Sequence, residues 1–316
     1  MPTIKNGVSL LKKHNLIFVF SLFLITTVVC SCKSTPTSVV VNPLDLLDEN
    51  SAFYIAVPSQ ADSELGIRVI QNNIPNLTEQ DAKKIFERIN KIYAGITRTK
   101  RTTEIQAVAD GNIPVKYIPK ILSSKNGWKN VTYSPNNSSD EYKVYMYNQM
   151  DLAFPSNNIA CFGRDIYSVI DKYDYIKKSS NSLEEQTSLQ NYSSLPQHLY
   201  SWLEGAENEI RFYAVKPQSF LTILTGSNLD LKLFDVQGAF FTDENFPSQY
   251  VLDITFNFKN SKYLKAGKTL LTLAFGLTDS QSITINDNSL EIKGIKISKE
   301  QLYKLLIYKH GDSYGK

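Results

Sequence analysis

The chain has 316 residues, of which 42% are hydrophobic, enough to build a substantial core. Its net charge of +3 arises from 34 basic and 31 acidic residues, and three of the lysines lie near the N-terminus, at Lys5, Lys12 and Lys13. The rest of the chain is therefore formally neutral. A neutral body argues against a nucleic-acid partner, because nucleic-acid-binding domains normally carry a basic surplus.

The N-terminus has the three parts of an export signal. Basic residues precede an uncharged apolar run over residues 16–29, and small or polar residues follow it. A helix rises only ~1.5 Å per residue, so this run falls short of the ~30 Å hydrocarbon core of a bilayer. The pattern therefore predicts a signal peptide over residues 1–31 rather than a permanent membrane span.

The apolar run ends at Val29-Cys30-Ser31-Cys32, which resembles the lipobox of bacterial lipoproteins. The resemblance implies that Cys32 receives acyl chains such as palmitate and becomes the new N-terminus. Two or more chains, at ~0.8 kcal/mol per buried CH₂, would hold the protein at a lipid bilayer. Lys33, rather than Asp, follows the cysteine, which by the same resemblance fits delivery to the outer membrane. An ordinary secretory signal with incidental cysteines is the alternative.

Cys161 is the third cysteine of the chain. Cys30 leaves with the signal peptide and Cys32 is the predicted acyl acceptor, so no intrachain disulfide is expected in the mature protein. Cys161 lies in an apolar, strand-like run. This position predicts a buried structural thiol rather than a nucleophile.

The mature chain begins with a predicted tether over residues 32–43, which are rich in Ser, Thr and Pro. The folded body is expected to start near Leu44. A strand over residues 49–59, ended by a proline, comes first, and a helix over residues 63–73 follows.

A second helix is predicted over residues 78–96. Thr78 is placed to cap it, and isoleucines recur along it at spacings of four, three and four residues. Such a stripe is typical of a helix that packs one face on a core. The isoleucines are Ile85, Ile89, Ile92 and Ile96.

The remaining elements alternate between strands and short helices. Strands are predicted over residues 103–109, 131–133, 141–147, 152–162, 235–240, 250–258, 282–286 and 289–298. Helices are predicted over residues 115–122, 165–176 (capped by Asp165), 218–225, 263–275 and 299–308. Adjacent strands with interspersed helices predict an α+β fold with antiparallel or mixed sheets.

Two sequence markers recur in the same order along the chain. Residues 53–59 resemble residues 212–219, and residues 104–109 resemble residues 235–240. This similarity predicts two related α+β halves, at 44–176 and 201–316, joined by a polar linker over 177–200. The second half would lack a counterpart of the helix over 78–96. Chance similarity between strand-rich segments is the alternative.

No catalytic, cofactor or metal site is predicted. His198 and His310 lack the partners that a metal site or a serine triad needs. Residues 262–269 end in Gly-Lys-Thr but lack the first glycine of a phosphate-binding loop, and an amphipathic helix is the better interpretation. The basic cluster at residues 98–101 fits a helix C-terminus, although it could also contact acidic headgroups or glycans.

Tyr145 and Tyr147 fall on one side of a predicted strand and are the candidate binding surface. An exposed aromatic face could stack on a glycan or bind an envelope protein, whereas a face covered by helices would only pack. The sequence therefore predicts an envelope lipoprotein with a binding or structural role. The alternatives are a hydrolase that uses paired carboxylates and a carrier of apolar ligands, which would need a cavity between sheet and helix.

Overall fold

The computed structural model describes residues 41–307 apart from 75, 99–102, 137, 149, 165, 180–194, 226–227 and 279–280. Cys32, Asp165 and His310 lie outside the described residues, as do the predicted signal peptide and most of the tether. In the described part of the chain, no helix combines the length and the apolar character needed to cross a bilayer.

Twelve strands of the described chain form one antiparallel sheet, and eight α-helices pack on it. This arrangement confirms the predicted α+β fold. The strands are β1 (Phe53–Pro58), β2 (Ile89–Arg98), β3 (Thr103–Gly111), β4 (Lys129–Tyr133), β5 (Tyr142–Tyr147), β6 (Met150–Ser156), β7 (Ile159–Gly163), β8 (Ile210–Ala214), β9 (Leu233–Thr242), β10 (Gln249–Phe258), β11 (Ser282–Asn286) and β12 (Ser289–Ser298). The helices are α1 (Ser63–Asn73), α2 (Glu79–Phe86), α3 (Ile118–Ile121), α4 (Tyr167–Ser179), α5 (Gln197–Glu204), α6 (Pro217–Thr225), α7 (Leu264–Phe275) and α8 (Lys299–Leu306).

The sheet is built outward from a central pair of strands. Its order is β11-β12-β10-β9-β8-β1-β2-β3-β7-β6-β5-β4, so all strands up to β7 lie on one side and all strands from β8 lie on the other. In the central pair, β1 and β8 run antiparallel and Tyr54 lies opposite Tyr213. The two sequence segments that first suggested a repeat are therefore neighbours in space.

We propose that the two halves are related copies. Each starts with a strand at the centre of the sheet and continues through helix, strand, strand and helix. Each then crosses to the outer edge of the sheet and returns through neighbouring antiparallel strands, four in the first half (β4 to β7) and two in the second (β11 and β12). β9 lies beside β8 as β2 lies beside β1, so residues 235–240 correspond by position to β2 and not to residues 104–109 of β3. One helix, α6, separates β8 from β9, whereas both α1 and α2 separate β1 from β2.

The two faces of the sheet are covered differently. Phe53, Ile55 and Val57 point to the face that we call the cavity face, where α1, α2, α3, α6, α7 and α8 pack. Tyr54 and Ala56 point to the opposite face. The opposite face is covered by a 3₁₀ helix at Pro43–Leu46 together with α4 and α5.

The predicted helix over residues 78–96 is wrong in its second part. The helix begins where predicted, since the Thr78 side chain accepts a hydrogen bond from the Asp81 amide, but α2 ends at Phe86. The chain then turns and continues as β2, which pairs with both β1 and β3. The spacing of Ile92 and Ile96 fits a helical stripe and also the two-residue alternation of a strand. The two strand pairings of β2 decide between these patterns.

Two further differences concern the segments 152–162 and 197–204. The first was predicted as one strand, but it forms parts of β6 and β7, which pair as a hairpin through the turn at Asn157 and Asn158. The second lies in and beyond the predicted linker and forms α5. Its Trp202 indole donates a hydrogen bond to the carbonyl oxygen of Phe212 at 3.1 Å, so this helix is fixed to β8.

Candidate ligand cavity

A cavity of about 740 Å³ lies between the cavity face of the sheet and the helices of the first half. Protein interiors are normally close-packed, with few voids larger than a water molecule. A cavity of this size falls within the range of small-molecule binding sites.

The floor of the cavity is made by small side chains on neighbouring strands. Ala94 pairs with Ala107 across β2 and β3, and Ala109 pairs with Ala160 across β3 and β7. An alanine fills little of the space between a sheet and a helix packed over it. The cavity therefore follows from a cluster of alanines where larger residues would close the gap.

The roof is made by α1, α2 and the segment around α3. Its side chains are mostly branched and aliphatic, and Leu306 of α8 also lines the cavity. These roof residues are Leu65, Val69, Ile70, Ile74, Ile85, Ile113, Ile118, Ile121 and Leu122.

The α1–α2 contact in the roof requires a glycine. A Cβ atom at Gly66 would lie 2.1 Å from the Cε2 atom of Phe86, far inside the contact distance. Phe86 is buried and packs with Ile70 and Ile89. Gly66 therefore lets α2 approach α1 closely enough to cover the cavity.

A buried polar cluster fixes α1 to the second half. Asp62, which caps α1, accepts hydrogen bonds from the Leu65 amide at 2.9 Å and from the Tyr250 hydroxyl at 2.7 Å. Its carboxylate also lies 2.7 Å from the Lys299 ammonium at the start of α8. Burial alone would raise the pKa of Asp62, but these donors and the Lys299 charge outweigh it and lower the pKa. The roof is thus connected to both halves of the sheet.

The structure places Tyr145 and Tyr147 on the cavity face near its far edge. Tyr145 is buried and contacts Phe154, with ring centroids 6.2 Å apart. Tyr147 is half-buried and contacts Trp128 at 5.3 Å. Helices and loops cover the strand there, and a binding surface formed by these two residues stays a prediction. Neither residue lines the cavity.

Cys161 is fully buried, lies opposite Val108 in the β3–β7 pair, and is among the residues that line the cavity. Burial raises the pKa of its thiol, so the thiolate is disfavoured.

His198 contacts the Tyr213 hydroxyl at 3.1 Å. Gly267 and Lys268 lie within α7, where Gly267 packs on the ring of Phe258, so the Gly-Lys-Thr segment is helical, as the sequence analysis preferred.

The structure brings one pair of carboxylates together that the sequence does not reveal. Burial, and then the charge of Glu204, raises the pKa of Asp45 to about 6. Asn42 donates a hydrogen bond to Glu204 at 3.0 Å, and neither carboxylate lines the cavity. Among the residues that the structure describes, no group of three metal-ligating side chains is present.

The sequence patterns alone do not locate the cavity residues. Ile89 and Ile92 were assigned to a helical stripe, and the alanines of the floor carry no signal of their own. The available signal was the series of alanines in segments otherwise rich in larger apolar residues, but its meaning depends on which strands are neighbours.

The fold and the cavity together define a class of protein, an α+β protein with an apolar cavity between an antiparallel sheet and the helices that cover it. A family model described as "Outer membrane-associated lipoprotein TP0453" matches residues 38–303. The chain belongs to this family and is a lipid-anchored protein of the cell envelope. No curated protein sequence matches it at a significant level.

Solved structures of TP0453 have the same fold. Crystal form I is 18% identical in sequence, with a TM-score of 0.62 over 85% of this chain and 99% of that one. Crystal form III is also 18% identical, with a TM-score of 0.60 over 84% of this chain and 98% of that one.

Proposed function

We propose that this envelope lipoprotein binds an aliphatic ligand in the cavity while acyl chains on Cys32 hold it at the membrane. The cavity carries the proposal, because its floor and roof are apolar and it is large enough for a small molecule. Of the functions considered from the sequence, only the apolar-ligand alternative requires such a cavity.

The walls favour a flexible chain over a flat ring system. They are built mainly from isoleucine, leucine, valine and alanine, with Tyr117, Phe154 and Phe162 as the aromatic residues among the described lining. Several floor residues, such as Ala107 and Ala160, are only half-buried although they lie under the helices. A ligand in the cavity would remove this apolar surface from water, at ~25 cal/mol per Å².

The anchor restricts how such a protein works. A protein held by two or more acyl chains does not exchange readily between membranes. The proposed role is therefore binding and presentation of a ligand at one membrane rather than transport through solution.

Binding can be tested on residues 32–316 carrying Cys32→Ser, so that neither detergent nor the protein's own acyl chains compete for the cavity. The described residues from Val41 onwards form one compact unit in the structure. The probe is cis-parinaric acid, a polyene fatty acid that fluoresces in apolar surroundings. Saturable binding of about one equivalent is expected.

Filling part of the cavity should weaken this binding. Ala107→Leu adds three carbon atoms to the floor and should weaken binding about tenfold or more, with little loss of stability because empty space is available. Leu273→Ala is the matched control, since Leu273 is 75% exposed on α7 and lies outside the cavity. Unchanged binding by Ala107→Leu would contradict the proposal.

The anchor needs a separate test. Cys32→Ala should leave the precursor uncleaved and free of labelled palmitate. If palmitate labelling survives this substitution, Cys32 is not the acyl acceptor.

A further inference from the structure

The charged residues that line the cavity all belong to one short stretch of chain. They belong to α2 and to the turn between α2 and β2, namely Asp81, Lys84, Glu87 and Arg88, and the rest of the lining is apolar apart from a few amides. A cavity with an apolar interior and a charged mouth suits an amphiphile, whose chain and head need different surroundings.

Two of these four charges are already engaged with each other. Asp81 accepts a hydrogen bond from the Thr78 hydroxyl at 2.8 Å and lies 3.5 Å from the Lys84 ammonium. Both groups are exposed to solvent, so their interaction is weak, but it leaves little net charge at that point of the mouth.

Arg88 differs from Asp81 and Lys84, because hydrogen bonds hold its backbone in place while its side chain is available to bind a ligand. Its amide donates to the Ile85 carbonyl at 3.1 Å, and its carbonyl accepts from the Asn112 amide at 2.7 Å. The side chain is exposed, and within the described ranges it forms no ion pair and no hydrogen bond. An arginine held in this way presents its planar group of N–H donors at the mouth without first having to break another contact.

We infer that the ligand is an aliphatic chain that ends in an anionic head group, a carboxylate or a phosphate, and that Arg88 binds this head at the α2–β2 turn. This inference rests on the function proposed above and adds the polarity and orientation of the ligand. The chain lies over the alanine floor, and the head stays at the solvent-exposed mouth, where its charge remains hydrated. Glu87, the neighbouring residue, carries the opposite charge and disfavours an anionic head.

The test compares four ligands with the same twelve-carbon chain: dodecanoate, dodecyl phosphate, dodecanol and dodecyltrimethylammonium. Each displaces cis-parinaric acid from residues 32–316 carrying Cys32→Ser, below the concentration at which the ligand forms micelles. The wild-type mouth should bind dodecanoate or dodecyl phosphate more tightly than dodecanol, and the cationic ligand most weakly. The order of the two anions identifies a fatty acid or a phosphate ester as the better ligand.

Arg88→Gln should weaken binding of the anionic ligands about tenfold, the effect of losing a charge-assisted hydrogen bond, and should leave dodecanol binding within about twofold. Arg88→Lys should keep part of the preference. Glu87→Gln is the matched control at the next position, and it should leave or improve binding of the anions.

The outcomes separate this inference from the cavity function. If no ligand displaces the probe, or if the probe itself does not bind, the cavity function fails. If dodecanol and dodecanoate bind equally well, or if Arg88→Gln weakens all four ligands by the same factor, the cavity function stands and the role of Arg88 is overturned.

Discussion

Tyr54 and Tyr213 lie directly opposite each other in the central strand pair, yet their hydroxyl groups have different acceptors. The Tyr54 hydroxyl donates to the Asp48 carbonyl oxygen at 2.7 Å. The Tyr213 hydroxyl donates to the buried carboxylate of Asp235. Two residues at matching positions of the two halves thus support the same strand pair through a neutral and a charged hydrogen bond.

Because of this difference, removing the two hydroxyl groups should lower the free energy of unfolding by different amounts. Tyr213→Phe leaves the buried Asp235 carboxylate with one donor fewer and should cost about 2–3 kcal/mol, whereas Tyr54→Phe should cost about 1 kcal/mol. Urea unfolding at pH 7 measures both. Equal costs would mean that the Asp235 contact adds nothing beyond an ordinary hydrogen bond.

The contact between α1 and α8 should depend on pH through Asp62. The lowered pKa of Asp62 means that its contribution is present above its ordinary value of 3.8 and is lost as the pH falls through its folded-state pKa. Asp62→Asn should therefore cost about 3 kcal/mol near pH 7, because it leaves Lys299 without its buried partner, and progressively less below pH 4.

The control for this contact is Glu300→Gln. Glu300 lies 3.0 Å from Arg68 in the same interface, but the two side chains are 46% and 41% exposed. Its loss should cost less than about 1 kcal/mol at any pH. A larger cost for Glu300→Gln than for Asp62→Asn would overturn the view that the buried carboxylate fixes α1.

The roof of the cavity should be sensitive to one methyl group at Gly66. Gly66→Ala places a Cβ atom against Phe86 and should cost about 1–3 kcal/mol by forcing α1 and α2 apart. In a Phe86→Leu background the same substitution should cost less than about 1 kcal/mol, because the obstructing ring is gone. A thermal or urea double-mutant cycle measures this coupling, and additive costs would contradict it.

Asp45 should lower the stability of the protein as the pH rises, so replacing it should stabilise the protein at alkaline pH. A pKa raised to about 6 means that the folded state favours the protonated acid, so stability falls as the pH rises from 3.8 to about 6. Asp45→Asn should thus match the wild type near pH 3.5 and exceed it by about 1 kcal/mol at pH 8. The full pKa shift is not converted, because Asp45 is only half-buried and solvent screens its charge. Urea unfolding at both pH values tests this, and Glu204→Gln should give a smaller gain in the same direction.

The course of the chain at residues 85–96 shows where sequence patterns reach their limit. Thr78 was correctly identified as a helix cap because the bond that it forms is local. The end of the same helix was missed because the isoleucines fit a helical and a strand period alike. β1 and β3, which decide between the two, are distant in sequence or follow later in the chain.

The hairpin of β6 and β7 illustrates the same limit on a smaller scale. An apolar run with a short polar interruption is predicted as one strand. In the structure the interruption, Asn157 and Asn158, forms the turn that divides the run into two strands. In contrast, β11 and β12 were predicted with their observed bounds. Their turn at Asp287 adopts a positive φ of 43°, which is uncommon for any residue other than glycine but is tolerated by Asp and Asn.

The sequence by itself determined the properties that depend on local order: a basic start, a short apolar run and a placed cysteine at one end, a neutral body, and alternating strands and helices. Only the tertiary structure decided where the empty space lies. Ala94, Ala107, Ala109 and Ala160 come from three strands, and they form one floor only because antiparallel pairing makes those strands neighbours. A cavity forms where side chains from different strands and helices leave the space between them unfilled. This cannot be predicted from any single segment of the chain.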